Sequence, residues 1–284
     1  MKLSHSRIET YVKCPRQFKY RYIDNLTTLP TDDPASPLVL GHALHTGIEK
    51  NVEAAIKEYY EAYPVISDGH ITEAMKLEYL IPKVKELLPT GEHEVKIECD
   101  DFIGFIDLLV PVKKEPVYWS TGGMGGGDNL DDPNPPIIER YIEYYDLYDF
   151  KYSNNISNYM ESGQLHEYKY FFEKLNPGKK IRKLYFVFIP KSQLRIKYKN
   201  KTNPRDETIY EFRNRVMEDL KSKTISIEEV EYDPTKVIEY LINSKHAIED
   251  TTYEKNETNL CNWCEFKKYC LEGIDYEIIN KEEK

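Results

Sequence analysis

Apolar side chains recur along this chain with two different periods, and the switches between them mark out the elements. In GHALHTGIEKNVEAAIKEYYEAY, which opens at Gly41, the residues Leu44, Ile48, Val52, Ala55 and Tyr59 share one face at a period of about 3.6, which predicts a single continuous helix. Upstream, Ser6-x-x-Glu9 has the form of a capping box for a short helix carrying Ile8, Tyr11 and Val12. That helix runs to Cys14-Pro15, and Phe18 and Tyr22 follow at helical spacing. A further helix is predicted over about residues 71–88, stopped by Pro89 and Gly91.

Alternation of period two then takes over. Residues 93–100 and 102–110 read as strands joined tightly at Asp100-Asp101, and a third strand is expected over 140–150. Between them, the insert WSTGGMGGGDNLDDPNPP (119–136) is loop by composition. Its glycines do not make a phosphate-binding loop, because no Gly-Lys-Ser/Thr follows and no helix begins there. A helix over 158–175 and a strand over 182–189, with the apolar run LYFVFIP, complete an α-β-β-β-α-β order. After it come a basic strand (194–199), a helix (207–221), a short strand (225–232) and a helix (234–248). The pattern predicts an α/β protein with a mixed sheet and one domain over 1–284. It divides into a helical N-terminal part (1–62), a core (70–190) with its insert (119–136), and a C-terminal part (191–284) of basic hairpin, helices and a cysteine-rich segment.

Composition narrows the class. Of 284 residues, 40% are apolar and 31% charged, which fits a soluble, charge-rich chain. No uncharged apolar run approaches the ~18–20 residues of a membrane helix. Arg7, Glu9 and Lys13 stand where a signal peptide would be apolar, so a cytoplasmic location without a membrane partner is expected. The net charge of -10 repels nucleic acid on average, but it is unevenly spread. Residues 179–205 hold ten Lys/Arg and no Asp or Glu, a basic ridge able to follow a phosphate backbone or simply to face solvent.

Five cysteines add chemistry. Cys99 sits in the alternating HEVKIEC and is expected to be a buried strand residue. Cys261, Cys264 and Cys270 form C-x-x-C-x-x-x-x-x-C, far in sequence from Cys14. Without a secretory leader, such spacing favours metal ligation over disulfides. Four thiolates suit either tetrahedral zinc or a [4Fe–4S] cube, and spacing does not choose between them.

Other candidates are scattered. Asp107 interrupts the apolar strand FIGFIDLLV, where a carboxylate needs a compensating partner. Asp149 and Lys151, at i and i+2 in a strand, share a face. A carboxylate beside an ammonium suits a metal-assisted hydrolytic site, and equally an ordinary ion pair. Gln164 and Tyr168 project together from one helix, and His45 lies at the margin of its helix's apolar stripe, with His42 as its competitor.

In this order, with thiols at both ends, these segments resemble the PD-(D/E)XK nuclease superfamily, specifically the RecB-like exonucleases that carry an iron–sulfur cluster. Relatives include the AddB subunit of bacterial recombination complexes and the CRISPR-associated adaptation nucleases. SHSRIETYVKCPRQFKYRY looks like the family's opening segment, GHALH like its G-x-x-x-H element, GFID like its G-x-x-D strand, DFK like (D/E)-x-K, QLHEY like Q-x-x-x-Y, and CNWCEFKKYC like the cluster tail. The resemblance implies a restriction-endonuclease-like fold. It also implies Mn²⁺ or Mg²⁺ held by His45, Asp107, Asp149 and the Phe150 carbonyl, with Lys151 as the catalytic lysine. Gln164 and Tyr168 would position DNA and the lysine, and Cys14, Cys261, Cys264 and Cys270 would ligate a [4Fe–4S] cluster. Tyr152-Ser153 replaces the threonine and glycine that often follow the lysine, and the insert 119–136 departs from the family pattern.

The expectation is therefore a DNA exonuclease acting on single strands or ends. The competing readings are a catalytically silent DNA-binding subunit and a zinc-stabilised interaction protein. With no nucleotide-binding loop in the chain, unwinding falls to a helicase in trans, alongside other recombination or adaptation proteins. Arg16, Lys19, Arg21, Arg195, Lys197 and Lys199 are the expected DNA contacts, and Tyr20 and Tyr22 could stack on unpaired bases or shield the cluster.

Overall fold

Local capping sets the boundaries of the N-terminal elements. A computed structural model describes residues 1–29, 32–118, 138–202 and 205–280. Helix α1 (His5–Lys13) starts at Ser4 rather than Ser6, since the Ser4 hydroxyl accepts from the Arg7 amide at 3.4 Å. Pro15 opens the short α2 (Pro15–Phe18), which passes through a π-type turn, Lys19–Ile23, into strand β1 (Leu26–Thr28). The helix expected to be continuous from Gly41 is two, α3 (Pro37–Glu49) and α4 (Val52–Glu61). Asn51 causes the break: its backbone is extended and its side chain caps the Ala54 amide at 2.8 Å. Gly47 permits the tight packing that results, because a Cβ there would lie 2.9 Å from Ala55 and 2.3 Å from Ile81 of α5 (Asp68–Leu87).

Strands β2 (Glu92–Glu98), β3 (Ile103–Tyr118) and β4 (Ile138–Tyr152) follow, then α6 (Ile156–Met160), α7 (Gln164–Leu175) and β5 (Lys179–Ile189). Helix α8 (Ile209–Lys221), β6 (Ser226–Val230), α9 (Pro234–Glu249) and β7 (Ile278–Asn280) complete the fold. The five-stranded sheet has the order β2-β3-β4-β5-β6, with β4 and β5 parallel and the other pairs antiparallel. The parallel pair requires a crossover, which α6 and α7 provide. The expected α-β-β-β-α-β order is thus present, and this mixed α/β architecture is consistent with a restriction-endonuclease-like fold.

Three expectations need correction. The helix expected over 158–175 is broken between Met160 and Gln164. Strands β3 and β4 reach Tyr118 and Ile138, farther than their apolar cores suggest, and the insert 119–136 lies outside the described residues. Residues 194–199 form neither a strand nor a basic hairpin. The free edge of β5 is taken by β6, and the Lys197 and Lys199 amides bond to the side chains of Glu207 and Asp206 instead.

The apolar run in β5 is buried on both faces, as its composition requires. Phe186 and Phe188 point into a core with Phe102, Leu165 and Phe171, under α1, α7 and α9. Val187 and Ile189 point into the other, with Leu44, Tyr59 and Leu80, under α3, α4, α5 and α8. The N-terminus is drawn in beside the sheet, where the Leu3 amide donates to Asp101 O at 3.0 Å and the Ile103 amide to Leu3 O at 2.8 Å. Far ends of the chain meet where β1 pairs with β7. No helix among the described residues is long and apolar enough to cross a membrane.

Candidate active site

Asp107 is the hub of the site. It is buried in β3, and its Oδ2 accepts the Phe150 amide of β4 at 2.5 Å. Its Oδ1 lies 3.3 Å from His45 Nδ1, and the opposite ring nitrogen, Nε2, is 3.3 Å from the Phe150 carbonyl. The ring of Phe150 meets the imidazole edge-on at 5.7 Å and turns toward the α3–α5 layer. Sequence reasoning missed Glu94. Its carboxylate lies 3.9 Å from His45 Nδ1, and ligand atoms of His45, Glu94 and Asp107 all fall within 4.8 Å of one another. A local pattern could not have found it: Glu94 reaches the group through the β2–β3 register, a long-range pairing. His42 lines the same cleft but is outside this close set.

Asp149 and Lys151 share one face of β4, opposite to that of Phe150, as the strand period demands. Asp149, only 1% exposed, also lies outside the close set, with its Oδ2 2.5 Å from Lys151 Nζ. The ammonium donates to Gln164 Oε1 at 2.8 Å, and Gln164 Nε2 to the Tyr168 hydroxyl at 3.0 Å. Rings of Tyr159 and Phe186 lie 5.3 and 5.6 Å from the ammonium. Gly104 leaves room for this array, since a Cβ there would stand 2.7 Å from the Tyr168 ring. The two halves open on two clefts. One of about 760 Å³ is lined by His45, Glu94 and Asp107, and one of about 660 Å³ by Lys151 and Gln164. Tyr168, Ser4 and Ser6 border both.

The electrostatics bind the halves together. Burial alone would lower the His45 pKa, but the Asp107 charge and hydrogen bonds donated to Asp107 and Glu94 raise it to about 10. Burial pushes Asp149 up to about 6; the Lys151 charge opposes this and the Asp107 charge adds to it. Burial also works against the charge on Lys151, yet Asp149 and Asp107 together hold its pKa above the ordinary value. Carboxylates gathered around one imidazole and a backbone carbonyl form a donor set suited to a hard divalent cation.

The cysteines converge elsewhere. Cys14, Cys261, Cys264 and Cys270 line one cavity with Tyr20 and Phe266. The segment after α9 is tied to the N-terminus there: the Asn256 amide contacts Cys14 Sγ at 3.4 Å and the Arg16 amide donates to Glu254 O at 3.3 Å. Burial chiefly raises the Cys264 thiol pKa; the Phe266 backbone opposes it, and nearby Glu265, Cys14 and Cys261 add to it. Cys99 stands apart, half-buried just beyond β2 rather than within a strand.

The expected DNA contacts are largely engaged within the protein. Lys19 pairs with Asp24 at 2.6 Å, Arg21 with Glu265, and the Arg16 guanidinium lies 6.0 Å from the Tyr20 ring. Tyr20 packs on Phe266 and Tyr269, and Tyr22 on Phe18. Along the basic ridge, Lys180, Arg182, Lys183 and Arg205 are paired with Glu173, Asp146, Glu229 and Glu211. Arg195, Lys197 and Lys199 lie on the irregular segment after β5.

No curated protein matches this chain. Residues 2–119, the stretch that holds His45, Glu94 and Asp107 but ends before Asp149 and Lys151, match the family model of the PD-(D/E)XK nuclease superfamily.

Proposed function

We propose that this protein is a metal-dependent nuclease that hydrolyses DNA phosphodiesters as an exonuclease on single strands or ends, in the RecB-like branch with a [4Fe–4S] cluster. One observation carries the reading: Asp107 is shared between His45 and the Phe150 amide, and its charge also acts on Asp149 and on the Lys151 that Asp149 holds. Mn²⁺ or Mg²⁺ fits the donors His45, Asp107, Asp149 and the Phe150 carbonyl, with Glu94 as an added ligand; one imidazole among oxygens favours Mn²⁺. A cation there supplies charge compensation at the scissile phosphate and activation of water. Asp149 keeps Lys151 protonated, and Gln164 fixes the direction of the ammonium toward a bound phosphate. Tyr168, bordering both clefts, is placed to steer the strand between them.

The family resemblance favours a [4Fe–4S] cube over zinc, and the gathering of four cysteines at one cavity supports a thiolate-ligated group there. Cys14, Cys261, Cys264 and Cys270 would hold the cluster, which would join the two ends of one nuclease unit; any unwinding would come from a helicase in trans.

The test is anaerobic incubation of the purified protein and its Asp149→Ala and Lys151→Ala variants with end-labelled single- and double-stranded DNA and Mn²⁺. The expected result is degradation from ends that both variants lose. A wild-type protein that binds DNA without cutting it overturns the nuclease in favour of a binding subunit. Broad absorption near about 400 nm is expected of the cluster and not of zinc.

A further inference from the structure

Gln164, whose amide oxygen receives the Lys151 ammonium, is the first residue of α7. A helix start leaves backbone amides without partners, and the preceding Gly163 has no side chain to cap them. Ser162 serves instead, its hydroxyl accepting from the Gln164 amide at 3.3 Å. That hydroxyl is itself 3.0 Å from His5 Nε2, and His5 Nδ1 is 2.8 Å from Glu167 Oε1, one turn into the same helix. With Glu167 ionised and the imidazole neutral, the chain of hydrogen bonds runs one way: His5 carries its proton on Nδ1, Nε2 accepts from Ser162, and Ser162 accepts from Gln164. Glu167 is 2% exposed and its Oε2 has no hydrogen-bond partner among the described residues; burial holds its pKa above the ordinary value, and the contact with His5 opposes that shift. Gly163 makes the array sterically feasible, because a Cβ there would stand 2.8 Å from Glu167 Oε1.

We propose that Glu167, His5 and Ser162 form a relay of hydrogen bonds that fixes the start of α7, and that His5 and Ser162 are thereby positioning residues for Gln164 and Lys151. This rests on the reading of Lys151 as the catalytic lysine. The relay joins α1 to α7, so the N-terminal segment sets the aim of a lysine nearly half the chain away in sequence. Neither His5 nor Ser162 touches the ammonium directly.

The experiment measures two things on the wild-type holoprotein and on His5→Ala, Ser162→Ala, the double variant and Ser162→Thr. The first is kcat and KM on end-labelled DNA with Mn²⁺. The second, independent of activity, is the acetylation rate of Lys151 relative to exposed Lys57, read by mass spectrometry. Each alanine variant should lose about 10-fold in kcat at little-changed KM, and the double variant no more than either, since both break one relay. Lys151 should acetylate several-fold faster in both, and Ser162→Thr, which keeps the hydroxyl, should restore both readouts. Multiplicative losses in the double variant, or unchanged Lys151 reactivity in His5→Ala, overturn the relay. If the wild type does not cut DNA but Lys151 reactivity follows this pattern, the relay stands as a positioning device and the nuclease reading falls.

Discussion

Glu94 stands opposite Asp107 across the β2–β3 ladder, on a backbone turned into the left-handed region with φ 52°. His93 pairs with Leu108 and Val95 with Ile106, so the irregularity falls at the one residue that brings its carboxylate to His45. Holding a non-glycine residue there costs of order 1–3 kcal/mol. Glu94→Gly should therefore raise the midpoint of urea unfolding, by about 1 kcal/mol in stability, while weakening Mn²⁺ binding about 10-fold in calorimetric titration. Unchanged Mn²⁺ affinity would remove Glu94 from the site.

Protons and metal compete at His45. With its pKa raised to about 10 by its acidic neighbours, the imidazole is charged at neutral pH, and its stabilising contribution is lost as pH rises through that value. A metal ligand must be neutral, so binding at about pH 7.5 should release close to one proton, and apparent affinity should rise with pH toward 10. Titrations in two buffers of different ionisation enthalpy count that proton. His45→Gln should abolish the release.

Lys151 neutralises a buried acid whose pKa is about 6 even in its presence. Lys151→Met should leave the Asp149 charge uncompensated and cost about 3–5 kcal/mol at pH 8. An acid whose pKa is raised on folding loses stability as pH rises from its unfolded value through its folded one. The deficit should thus grow from pH 5 to pH 8, as followed by urea unfolding in chelator. The same variant should lose on the order of 10²–10³ in cleavage rate.

Cys14 and Cys261 enclose nearly the whole chain, so a group ligated by both acts as a crosslink across a very long loop, worth roughly 5 kcal/mol by loop-entropy arithmetic. Cys264→Ser should lose the visible absorption and melt markedly lower. Cys99→Ser, outside that cavity, should retain both.

Much of this architecture was legible because its determinants are local. The α-β-β-β-α-β order followed from periods of hydrophobicity, and the pairing of Asp149 with Lys151 and of Gln164 with Tyr168 from strand and helix geometry alone. What escaped was set by distant partners. Glu94 enters through strand register, and His5 meets Glu167 only because α1 packs by α7. Residues 194–199 alternate like a strand but find no edge, as β6 already occupies it. The break at Asn51 was open to reading, since Asn is a strong helix cap, but the apolar stripe that crosses it hides the signal.

Pairing of β1 with β7 has a consequence for biosynthesis. Leu26–Thr28 leaves the ribosome early, yet its partner, Ile278–Asn280, is translated some 250 residues later. Throughout that interval the opening segment has an unsatisfied edge and Cys14 waits for the other thiols of its cavity. Whatever group the four thiols hold together can therefore be bound only once Cys270 has been synthesised.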